Sequence, residues 1–216
     1  MSTTYESLKA MYYSGKVKPS LNKILVELDK DTDNLDLILL ACQCLTRGKE
    51  YGQLAELADK AIKIAPENPI TYYYKGIALK NVKGKEQEAL VNFNKALELE
   101  PENTIFLKGK GDTHVLLFSD YHLPPQLAEK HRVKAESTLM KILDIVENND
   151  MPSYLDLLNA GDVSIAIKRN LNAKKFYLKA EKNYEACEET EQNKNIYKDI
   201  IKAQRACAKL MEKFSE

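Results

Sequence analysis

Apolar residues recur three and four positions apart along most of this chain, and short polar turns interrupt them. That spacing places them on one face of a helix. Between residues 69 and 80, Tyr72, Gly76 and Leu79 share a face; "NVKGK" then breaks the pattern. Ala89, Phe93, Ala96 and Leu97 form the next stripe, closed by Pro101, which cannot continue a helix. A glycine inside a helix costs about 1 kcal/mol relative to alanine. Small residues at Gly76, Ala89 and Ala96 are therefore expected to let two antiparallel helices approach closely.

The same words recur along the chain. "LADKAIKIAPENP" (57–69) parallels "NFNKALELEPENT" (92–104), with Pro66 and Pro101 35 residues apart, as are Ala61 and Ala96, and Gly76 and Gly111. Upstream, "LDLILLACQCL" predicts a helix with Ala41 or Cys42 at the glycine site, followed by a second helix from Tyr51 to Ile64. A looser first pair carries Tyr5, Leu8 and Met11, then Leu21, Ile24, Leu25 and Leu28 on a helix opening at Pro19. The pair that begins at Leu107 and Gly111 is interrupted by "FSDYHLPPQLAEKHR". Gly111 to Ala135 spans 24 residues where Gly76 to Ala89 spans 13. The interruption lengthens the loop, the second helix, or both, and 118–128 is expected to be a surface excursion that resists helix before Gln126. A further pair carries Leu157 and Gly161, then Ala173, Tyr177 and Ala180. Last, Tyr197, Ile200, Ile201, Cys207, Leu210, Met211 and Phe214 line one side of a closing helix.

A helix–turn–helix unit of this length resembles the tetratricopeptide repeat, whose pattern runs W-x2-L-G-x2-Y, A-x3-F, P. Tyr72, Lys75, Gly76, Leu79, Ala89, Phe93 and Pro101 occupy those positions. Tyr stands for the Trp, Lys for the Leu and Leu for the Tyr, and the turn is one residue longer. The resemblance implies an all-α fold: a right-handed superhelical solenoid of about five antiparallel helix pairs with a C-terminal capping helix. It covers residues 1–216 as a single domain. The clearest repeats are 35–68 and 69–103, an interrupted one is 104–148, a divergent one is 152–186, and the cap is 192–215.

In that family the first helix of each pair lines a concave groove that takes a peptide or a partner's helix. Carried over by position, the resemblance implies a groove of Leu39 and Gln43; Tyr73, Ile77 and Lys80; Lys108 and Asp112; and Leu158 and Asp162. Tyr5 and Tyr12 come from the looser register. Leu39, Ile77 and Leu158 could equally pack between helices. Tyr73 is expected to face the partner and to matter little for stability. Some family members grip a chaperone's C-terminal carboxylate with Lys and Asn side chains. Here Lys108 is followed by Asp112 where Asn is wanted, Leu39 and Gln43 lack the Lys, and only Asn159 matches. A mixed or apolar ligand is favoured over a carboxylate.

Composition narrows the functions. Lys+Arg and Asp+Glu are equal at 32 each, so no net field draws the chain to nucleic acid or to an anionic membrane. No apolar run approaches the ~20 residues of a bilayer span, and "MSTTYESLKAMYYSGK" has no apolar signal core. Cys42, Cys44, Cys187 and Cys207 show no CxxC spacing, which reads as buried free thiols in a reducing, cytoplasmic setting. "KGKGD" lacks the spacing of a phosphate loop, and no GxSxG is present. His114, Asp120, His122 and His131 surround the interruption, so 114–131 is the one place for an alternative metal-dependent or catalytic role. No HExxH or Cys-His spacing supports it. The sequence therefore points to a non-enzymatic scaffold or adaptor, cochaperone-like or an assembly subunit, with a protein or peptide partner and neither cofactor nor metal.

Overall fold

The computed structural model describes residues 3–162 apart from 121, 151, 154, 155, 158 and 161. Among the described residues all regular structure is helical, in eight main helices: α1 (Thr3–Tyr13), α2 (Val17–Leu28), α3 (Leu35–Gly48), α4 (Tyr51–Ile64), α5 (Pro69–Lys80), α6 (Glu86–Leu99), α7 (Thr104–Phe118) and α8 (Pro125–Glu147). Asp156, Leu157, Asn159, Ala160 and Asp162 are helical again. The second half of the expected fifth pair (Ala173, Tyr177, Ala180) and the capping helix lie outside the described residues.

Each helix packs on the next, and the first helices α1, α3, α5 and α7 also approach one another in order. No such approach joins α2, α4, α6 and α8. The array therefore bends with the first helices on its inner side.

Asparagine sets the start of the inner helices. Asn34, Asn68 and Asn103 are N-caps of α3, α5 and α7, each accepting from a backbone N–H of the first turn. These bonds satisfy donors that have no partner within the helix. The repeated "PEN" is thus a stop for one helix and a cap for the next. Asn68→Ala should cost about 1 kcal/mol in a denaturant titration.

Gly76 is the close-packing site between α5 and α6 that its spacing suggested, and what fills the space is a ring. A Cβ there would lie 2.8 Å from the Phe93 ring, and one on Gly109 would lie 2.5 Å from the same ring. Phe93 is fully buried, so both glycines make room for a side chain rather than for a neighbouring backbone. Gly84, at φ +84, supplies the left-handed turn between α5 and α6.

The interruption is mostly helix. The connection 119–124 is short, and α8 has 23 residues where α4 and α6 have 14. α7 also continues to Phe118. The expected excursion over 118–128 is corrected accordingly: 125–128 already belong to α8. Pro125 opens it because its missing N–H is one that a helix start leaves unpaired anyway. The result is an α7–α8 hairpin longer than the pair before it. In the first pair, α2 opens at Val17, two residues ahead of Pro19, and Leu25 is exposed rather than packed.

Candidate functional site: the inner face of the first helices

The inner face is floored by aromatic rings. The Tyr73 ring centroid lies 5.4 Å from that of Phe106 on the next first helix, 5.4 Å from Tyr74 and 6.2 Å from Phe93. Tyr73 and Ile77 are partly buried, and both pack against the core built on Leu79, Ala89 and Phe93. Burial, with Asp112 adding to it, pushes the Tyr73 hydroxyl up to about 12. The expectation that Tyr73 stands free for a partner is corrected: its ring is largely an inter-repeat wedge between Phe93 and Phe106.

Above this floor runs a chain of opposite charges. The Asp112 carboxylate lies 3.5 Å from Lys80 Nζ and 3.2 Å from Lys108 Nζ, and Lys108 lies 3.9 Å from Asp162. Three successive first helices are linked in this way. The most buried of these side chains is Lys80, at 16% exposure, and the most exposed is Asp162, at 49%. Burial lowers the Lys80 pKa, and Asp112 opposes that effect. Toward the N-terminus, Leu39 is partly buried against the core, and Gln43 is partly buried as well. Tyr5 and Tyr12 are partly buried in the same region. Leu158 lies outside the described residues.

Sequence reasoning missed several contacts. Thr104 Oγ1 donates to Asp156 at 2.6 Å, and Asn159 Nδ2 donates to Thr104 Oγ1 at 3.3 Å. Asn159 is thereby engaged in tying α7 to the segment that follows. His114 and His131 are both buried, and their Nδ1 atoms face each other at 3.0 Å. The available signal was positional: His114 follows Gly111 by three residues, and His131 precedes Ala135 by four. His122 is exposed on the connection, where its backbone N–H donates to Asp120. Among the described residues no group of three or more His, Cys, Asp or Glu is placed to hold a metal ion. Cys42 and Cys44 are buried free thiols, and burial pushes Cys42 up to about 12; Cys187 and Cys207 lie outside the described residues. No described helix is long and apolar enough to cross a membrane.

No protein-family model and no curated protein matches this chain in sequence. Its fold does match solved structures. A tetratricopeptide-repeat protein of Thermus thermophilus, TTC0263, aligns over 92% of this chain and 97% of its own, with TM-score 0.65 and 13% identity. MamA aligns over 86% and 96%, with TM-score 0.54 and 14% identity. A chain of the APC/C hetero-tetramer Cut9–Hcn1 aligns over 81% of this chain and 30% of its own, with TM-score 0.55 and 17% identity. Paired helices, small residues admitting Phe93, Asn-capped inner helices and these likenesses converge on one conclusion: the chain has the fold of a tetratricopeptide-repeat solenoid.

Proposed function

We propose that this protein is a non-enzymatic, cytoplasmic interaction scaffold, an adaptor or assembly subunit, whose inner first-helix face takes a peptide or a partner's helix. One observation carries this reading. The Lys80–Asp112–Lys108–Asp162 chain crosses three successive first helices over an apolar floor of Tyr73 and Ile77. A surface with alternating charge and no net sign suits a ligand of mixed character. A polyanion would have to displace both aspartates, so nucleic acid is a poor fit. Leu39 and Gln43 extend the face toward the N-terminus, and Leu158 belongs to its far end by sequence position. That one structural neighbour, Cut9–Hcn1, is itself an assembly supports the subunit reading.

The test is capture of a partner from native extract, followed by calorimetry. Exposed ion pairs contribute about 1 kcal/mol or less and mainly tune rate and orientation. Lys108→Ala should therefore weaken a captured partner modestly, and the difference should shrink as salt shortens the screening length to below ~10 Å. Unchanged affinity for Lys108→Ala and Asp112→Ala at low salt would place the contact on another face.

A further inference from the structure

The added length of the α7–α8 hairpin is held by very little. Between Pro125 and Lys134, His131 is the one buried residue of α8, and the next is Ala135. On α7 the corresponding contacts are His114 and Leu117. Around them Val115, Leu116 and Val133 are exposed, and beyond them toward the tip so are Phe118 and Leu127. The large apolar cluster of Leu107, Leu139, Ile142, Leu143 and Val146 lies at the base of the hairpin, not along its extension.

We propose that the His114–His131 pair is a proton-operated latch that closes the α7–α8 extension near neutral pH and releases it on acidification. At 3.0 Å between two Nδ1 atoms, one ring must donate Nδ1–H and the other must accept, which near neutral pH puts the two neutral rings in opposite tautomers. A first added proton goes to the outward Nε2 of the donor ring and leaves the bond in place, with a buried charge. A second puts N–H groups on both facing nitrogens and sets two cations against each other, which the closed geometry cannot hold.

The surroundings oppose even the first proton. Both rings are buried, and the charges that act on them are cationic: Lys110 from α7, and Lys130 and Lys134 from α8. α5 and α6, which also pack on α7, contribute none of them. Desolvation first, then the facing His131 and then Lys134 and Lys110, lowers His114 from 6.5 to about 4; desolvation, Lys134 and Lys130 lower His131 as well. An opened hairpin binds more protons than a closed one between those values. The stability of the closed form is therefore fully present above pH 6.5 and is lost as pH falls from there toward about 4.

Hydrogen exchange measured by mass spectrometry on the whole chain at pH 7.5 and pH 5, corrected for intrinsic rates, tests the latch. Protection of residues 112–134 should fall by roughly tenfold or more at pH 5, while that of α3–α6 changes far less. In a His114→Leu, His131→Leu double variant this selective acid response should disappear. Equal protection at both pH values, a uniform loss across all helices, or persistence of the response in the double variant would overturn the latch. So would a response abolished by a chelator, which would make the pair a metal clip instead. Should the double variant fail to fold, the histidine Cε1–H titration of the native chain decides. Midpoints for His114 and His131 at 6.5 or above would sink the proposal.

Discussion

Phe93→Ala should lower the unfolding free energy by about 3–5 kcal/mol, the usual cost of emptying a fully buried phenyl site. The ring sits between Gly76 on its own pair and Gly109 on the next first helix. Its loss therefore opens a void at the junction of two repeats rather than inside one. The reciprocal experiment fills the space from the other side. In an ordinary exposed helix, Gly→Ala gains about 1 kcal/mol. Gly109→Ala should instead destabilise by about 1–3 kcal/mol, because its Cβ would meet a rigid ring with nowhere to turn. Gly111→Ala is the control. Its Cβ meets the Leu139 side chain, Cδ2 at 2.5 Å, and a leucine can change rotamer, so the loss should be smaller. Denaturant titration of the three variants ranks them. A stabilising Gly109→Ala would mean that Phe93 does not pack there.

Tyr73→Ala should show a double effect, on stability and on binding. Its ring touches Tyr74, Phe93 and Phe106, so truncation should cost roughly 2 kcal/mol or more of stability. If the inner face is the binding surface, the same change should weaken a captured partner by about 2 kcal/mol, the threshold of a hot spot. Tyr73→Phe separates the two effects. It keeps the wedge and removes only the hydroxyl beside Asp112, so stability should stay within about 1 kcal/mol. Melting curves read the first quantity and calorimetry the second. Normal binding by the folded fraction of Tyr73→Ala would make Tyr73 purely structural and remove it from the groove.

Local chemistry wrote much of this molecule into its sequence. Helix period follows from which side chains share a face, helix ends from Pro66 and Pro101, and the 35-residue spacing from their recurrence. Those are properties of neighbours in the chain, and so they could be read before any contact was known. The pairing of α5 with α6 was legible for the same reason, through Gly76, Ala89 and Phe93.

The tertiary structure decided what each of those positions meets. Gly76 could be seen to need space, but that the space belongs to Phe93, shared with Gly109, depends on how the next repeat docks. Tyr73 has the size and polarity of a binding residue. Only the approach of Phe106 from α7 turned it into a wedge. Lys108 and Asp112 are one turn apart on α7, but Lys80 lies far from both in sequence and joined them in one chain of charge only because successive first helices stack on the inner side of the bend. His114 and His131, 17 residues apart, could be grouped in the sequence only by their place around the interruption. Their facing nitrogens follow from a hairpin whose extra residues went into helix, and no local propensity could fix that register.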